Sequence, residues 1–128
     1  GKTMILRAGA AGSVTGGRNL YVMRIGEDSL PRPLLAAPNF DETSPALSPD
    51  GRWLLYQSDE SGRNEIYLRP FPDVDRVRVQ VSVSGGVAPL WARNGREIFF
   101  LSADWRMMAA SFTAAATPTI GAPRVLFD

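Results

Sequence analysis

The sequence predicts an all-β chain of about three four-stranded antiparallel units, the first of them incomplete. Three observations carry this reading. The residues from Pro45 to Ser58 recur from Pro89 to Ser102 at an offset of 44 residues, without a gap. Each copy centres on an Asp-Gly or Asn-Gly step between two apolar runs. Glycine takes φ > 0 there without steric cost, so a tight hairpin can form. Twelve glycines and ten prolines are spread along the chain, which implies many turns and short strands. A period near 44 with four short strands per unit is the spacing of β-propeller blades, at about 40–45 residues each. Three such units make half of a six-bladed ring.

The first unit, residues 1–38, is expected to hold strands near 3–8, 19–25 and 32–36. Gly1-Lys2-Thr3-Met4-Ile5-Leu6 fits the repeat from Gly51 onward, so this unit lacks its innermost strand. The second unit, 39–84, is expected to hold strands at 45–47, 52–58, 64–69 and 77–82. Trp53-Leu54-Leu55-Tyr56 is continuously apolar, which predicts burial on both faces. Arg76-Val77-Arg78-Val79-Gln80-Val81-Ser82 alternates, as an outer strand with one wet face does. The third unit, 85–128, is expected to hold strands at 88–91, 96–102, 106–112 and 123–127. Its apolar run Ile98-Phe99-Phe100-Leu101 predicts the same two-sided burial. Ala114-Ala115-Ala116-Thr117 is too short for a helix, and Pro118 ends it, so it reads as a loop.

The stretch Ser44-Pro45-Ala46-Leu47-Ser48-Pro49-Asp50-Gly51-Arg52-Trp53-Leu54-Leu55-Tyr56, followed by Asn64-Glu65-Ile66-Tyr67-Leu68-Arg69-Pro70-Phe71-Pro72, resembles the PD40 repeat, a WD40-like unit of TolB-like propellers. Residues 39–112 also resemble the C-terminal propeller of bacterial eukaryotic-like Ser/Thr kinases. The gating propeller of prolyl-oligopeptidase-type peptidases is a more distant likeness. The third unit departs from the pattern, with Arg93-Asn94 in place of Pro-Asp. The resemblance implies a propeller in the bacterial cytoplasm or periplasm, and it is weak for function, because propellers host unrelated activities.

Composition narrows the function. Net charge is +1 and the basic residues are scattered, so the chain presents no case for nucleic acid. No run of 18 apolar residues exists, so no membrane-inserted helix is expected. Histidine and cysteine are absent, which removes the usual general base, thiol nucleophile and metal ligands. The sequence also lacks a nucleophile elbow and the kinase His-Arg-Asp and Asp-Phe-Gly motifs. Gly1-Lys2-Thr3 lacks the upstream glycines of a phosphate loop and leads into a strand. Gly-rich residues 9–17 join two strands and lack the helix N-terminus that holds phosphate. No enzyme activity and no cofactor are therefore expected. The opening at Gly1 leaves room for a leader or upstream region removed from the chain.

An interaction module is the reading that remains. Its partner would be a protein, a peptide or a small ligand, met on a propeller face or in the central channel. The residues expected to meet it lie near the repeat turns: Asp50, Arg52, Asn94 and Arg96, with Trp105 as the exposed aromatic. Trp53 and Trp91 are expected in the core between blades. Arg52, Arg63, Arg69, Arg93 and Arg96 cluster near blade turns and strand ends, where a face rimmed by arginine would suit acidic partners or peptides, against the plainer reading as solvated charge and inter-blade pairing with Asp50, Asp59 and Glu97. Asp59 and Glu60 are the candidates for a calcium ion, against the plainer reading as solvated turn residues, which also holds for Asp41 and Glu42. Three blades would leave one apolar face open at each end. The chain is thus expected to meet a second copy about a two-fold axis, or the rest of a longer propeller. Two further readings are an accessory or sensor segment of a kinase or peptidase, and a self-assembling structural protein.

Overall fold

The computed structural model describes residues 2–8, 19–25, 32–35 and 42–126. The loop at 9–17, Gly1 and Asp41 lie outside the described residues. Among those described there is no helix, and every paired strand is antiparallel.

Three sheets follow one another along the chain. The first runs β1 (Lys2–Ala8), β2 (Asn19–Ile25), β3 (Arg32–Leu35). The second runs β4 (Glu42–Leu47), β5 (Trp53–Ser58), β6 (Glu65–Pro70), β7 (Val79–Gln80). The third runs β8 (Val87–Trp91), β9 (Glu97–Leu101), β10 (Met107–Thr113) and then two short strands, β11 (Thr119–Ile120) and β12 (Arg124–Val125), on the outer edge of β10.

Local chemistry explains the hairpins. Gly51 and Gly95 hold φ of 72° and 70°, the left-handed region that L side chains avoid. In both turns the preceding Asp or Asn locks the loop. Asp50 Oδ1 accepts from the Arg52 N–H at 3.1 Å, and Asn94 Oδ1 accepts from the Arg96 N–H at 2.8 Å.

The innermost strands share a feature that the sequence reading did not anticipate. The β4–β5 register shifts between Thr43 and Ala46, and the β8–β9 register shifts between Val87 and Leu90. Ser44 and Ala88, each followed by proline, stand at φ of 53° and 55°. The β-bulge thus repeats with the period of the sequence.

The outer strands are shorter than expected. In the second sheet the ladder covers Val79–Gln80, and then the N–H groups of Val81 and Ser82 both turn to the Ile66 carbonyl. In the third, the expected strand at 123–127 is replaced by two fragments. Gly121 explains the break. Its N–H donates to the Ser111 carbonyl at 2.9 Å, and a Cβ there would lie 2.2 Å from Ser111 Oγ. The chain comes too close for any side chain.

Packing follows the two-residue period of a strand. Trp53 and Leu55 on β5, with Ile66, Leu68 and Val81, face the third sheet, meeting Ile98, Phe100, Ala110 and Phe112. Leu54, Tyr56, Tyr67 and Val74 face the first sheet, meeting Leu20 with Ile5 and Leu34 beside it. The second sheet is therefore buried on both faces, as the run Trp53-Leu54-Leu55-Tyr56 predicts. Each fully buried aliphatic side chain contributes about 1.5–3 kcal/mol.

The matching expectation for Ile98-Phe99-Phe100-Leu101 is corrected. Ile98 and Phe100 are buried, but Phe99 and Leu101 are only half-buried. They point to the far side of the third sheet, which no other sheet covers among the described residues. Leu90, cross-strand from Phe99, is 59% exposed on that side. The far side of the first sheet is similarly open at Met4, whose cross-strand partner Met23 is half-buried. Among the described residues, partly uncovered apolar side chains thus stand at both ends of the arc.

Candidate functional site

Antiparallel order sorts the loops between two ends. The β4–β5 turn, the β6–β7 loop, the β8–β9 turn and the loop after β10 lie at one end. The β5–β6 and β9–β10 loops lie at the other. Between the second and third sheets, the first end opens into a groove of two joined hollows.

One hollow, of about 390 Å³, lies between the two hairpins. Its floor is Trp53 and Phe112, and Ser48, Pro49, Asp50, Asn94, Gly95 and Arg96 form its walls. The second, of about 490 Å³, shares Asp50, Trp53 and Ala114 with the first. It extends over Arg52, Pro70, Phe71, Pro72, Asp73 and Arg76. The floor is rigid. The Trp53 and Trp91 rings both meet Phe112 edge-on, with centroids 5.4 and 5.2 Å away. The Trp91 Nε1–H donates to the Ala46 carbonyl at 2.9 Å, which satisfies its polar tip. Trp53 is buried in the inter-sheet core, and Trp91 packs against that core half-buried.

The structure brings Asp50, Arg52, Asn94 and Arg96 to this groove. Asp50 is occupied by its own turn. Ser48 Oγ donates to it, the Arg52 N–H donates as well, and together these hold its carboxyl below the usual carboxylate range. Asp50 and Asn94 thus shape the groove, whereas the guanidinium groups of Arg52 and Arg96 have no hydrogen bond or ion pair among the described residues. Arg76 reaches across to donate to the Ala116 carbonyl at 2.7 Å, with its guanidinium 5.9 Å from the Trp53 ring centre. Sequence reasoning missed Arg76 and Phe112. Arg76 opens an alternating stretch of sequence and lies in the β6–β7 loop, and Phe112 is one apolar residue of β10; only the folded chain joins them.

Trp105 does not join this group. It lies in the β9–β10 turn at the opposite end, 74% exposed, at φ 65°. Its N–H closes the turn on the Ser102 carbonyl at 2.9 Å, as Gly51 does on Ser48 and Gly95 on Ala92. A tryptophan therefore occupies the place that glycine fills in the other hairpins. Ser102 Oγ bonds Asp104 and accepts from the Arg106 N–H, so the turn is braced on both sides. Hydrogen bonding from Ser102 lowers the Asp104 carboxyl.

Asp59 and Glu60, the calcium candidates, also lie at that opposite end. Glu60 is engaged by Arg78 in a short ion pair. The described residues hold no group of three or more side chains fit to bind a metal ion. Arg63 and Arg69 are taken up as well. Arg63 bonds Glu65 at 2.9 Å and the Val83 carbonyl, and Arg69 bonds Tyr56 and the Val74 carbonyl, both at 2.8 Å.

Tyr56 gives a pH signature. Burial pushes its hydroxyl from 10.0 up to about 12, against the opposing pull of Arg69. The raised value means that folding favours the neutral phenol. Its contribution is complete below pH 10 and is lost as pH rises from about 10 to about 12. The melting temperature is expected to fall across that window, and by less in Tyr56→Phe.

No family model matches the chain, and no curated protein matches it. Solved structures do. A protein designated TolB from Agrobacterium tumefaciens aligns at a TM-score of 0.61 and 17% identity, over 74% of this chain and 34% of its own. TolB from Acinetobacter baumannii aligns at 0.61 and 19% identity, over 84% of this chain and 27% of its own. The chain spans about a third or less of these neighbours. The likeness is one of fold: the three sheets are blades of a TolB-like β-propeller.

Proposed function

We propose that this chain is a non-enzymatic propeller module that binds a protein or peptide at a propeller face, and that a second copy completes its ring. The observation that carries the second half is that partly uncovered apolar side chains stand at both ends of the arc among the described residues. A two-fold axis sets the Leu90 side of each copy against the Met4 side of the other. It makes two equal junctions and covers both faces, and six blades fall within the range of about 4–8 that closed propellers use. The remainder of a longer bacterial propeller is the second reading. It is favoured by the chain's spanning 34% and 27% of its structural neighbours.

For the binding half, the support is the groove, where an aromatic floor meets two guanidinium groups that make no hydrogen bond or ion pair among the described residues. Aromatic residues and arginine are the types enriched where proteins meet. Light scattering after size exclusion, across a tenfold dilution, tests the ring. A constant mass of twice the 13.9 kDa chain is expected. A compact species of single-chain mass at every dilution sinks the two-copy ring and leaves the longer propeller.

A further inference from the structure

The chemistry of the groove narrows the partner class. In the second and third units the turn glycine is followed by arginine, Gly51-Arg52 and Gly95-Arg96. Each arginine immediately precedes the strand that pairs with the third strand of its unit, β5 with β6 and β9 with β10. The repeat therefore sets an arginine at the same end of the second and third blades. Arg52 and Arg96 flank the groove, one from each neighbouring hairpin. Of the groove's two carboxylates, Asp50 is already tied to Ser48 and the Arg52 N–H. Between the cations lies the apolar floor of Trp53 and Phe112.

We propose that this groove takes an extended acidic peptide, with carboxylates on either side of an aliphatic side chain. The carboxylates would meet Arg52 and Arg96, whose fork geometry suits them. The aliphatic group would cover the Trp53–Phe112 floor. A nucleic acid fits less well. Its unbroken row of phosphates would cross Asp50 and Asp73, and it offers no aliphatic group to the floor. The inference rests on the reading of the chain as an interaction module.

The test uses three labelled peptides on one leucine-centred frame, flanked by Glu, by Gln or by Lys, with binding read by fluorescence anisotropy. The Glu peptide is expected to bind, and more weakly as salt rises. Arg52→Glu and Arg96→Glu are each expected to lower its affinity by about tenfold or more, while Arg106→Ala at the opposite end leaves it unchanged. Both arginine side chains are exposed and make no hydrogen bond or ion pair among the described residues, so the variants should fold. Equal binding of the Gln or Lys peptide, or no effect of either charge reversal, overturns the acidic assignment and leaves the interaction module standing. Tighter binding of a single-stranded oligonucleotide than of the Glu peptide overturns it too. Binding of none of the probes overturns the assignment and the module's groove together.

Discussion

Replacing Glu65 with alanine is expected to destabilise the fold by about 1–3 kcal/mol for each of the two buried donors it leaves without an acceptor. Glu65 opens β6 with its side chain 2% exposed. Oε1 accepts from Ser82 Oγ and from the Gly85 N–H at 2.9 Å, and Oε2 accepts from Arg63 Nε at 2.9 Å. Ser82 Oγ in turn accepts from the Ile66 N–H at 2.8 Å. One carboxylate therefore ties β6 to the connection that leads from the second blade to the third. Alanine would strand the Gly85 N–H, the Ser82 hydroxyl and one side of Arg63 together. Glu65→Gln keeps an acceptor for Gly85 and should cost less, since only the charge-assisted part is lost. Gly86→Ala should reproduce part of the loss by another route. A Cβ there would stand 2.7 Å from Ser82 Oγ and 3.0 Å from the Ile66 side chain, forcing Ser82 off the carboxylate. Urea unfolding of the three variants measures the order. Equal midpoints for wild type and Glu65→Ala would show that the network adds nothing to stability.

That network also marks where the sequence stopped being legible. The repeat, the hairpins and the positions of the inner strands could be read, because each rests on neighbours in sequence. Gly51 and Gly95 follow Asp and Asn, and the apolar runs follow directly. Glu65 looked like one polar residue at a strand start. Its burial depends on Ser82 and Gly85, about 20 residues away. The run at Ile98-Phe99-Phe100-Leu101 looked equivalent to Trp53-Leu54-Leu55-Tyr56, yet its burial differs because a sheet covers only one side of it. Sequence periodicity reports what a strand can bury, not what stands beside it. For the groove, the turn positions of Asp50, Arg52, Asn94 and Arg96 were legible, and three features were not. Asp50 and Asn94 hold their own loops, Arg76 closes over Trp53, and Trp105 sits at the wrong end to join them.

Trp53→Ala is expected to cost about 3–5 kcal/mol, the range for deleting a large buried aromatic. Trp53 is 6% exposed and serves three partners at once. Its ring meets Phe112 of the third blade edge-on, and it lies under the Arg76 guanidinium from the β6–β7 loop. Its backbone closes the β4–β5 hairpin on both sides, with the Ser48 N–H donating to the Trp53 carbonyl at 2.8 Å and the Trp53 N–H donating to Ser48 Oγ at 3.1 Å. Alanine keeps those backbone bonds and removes the ring, so the loss falls on the contact between blades and not on the hairpin. The variant should therefore unfold at lower denaturant with an unchanged slope if the blades unfold together. A broadened or two-step transition would instead mean that the third blade separates first. Trp53→Phe retains an aromatic against Phe112 and should recover much of the stability. It should not restore the full groove, because the smaller ring leaves the floor beneath Arg76 short. Peptide binding and stability should thus part company in Trp53→Phe. If both return to wild-type values, the indole is only core filler, and the groove does not depend on it.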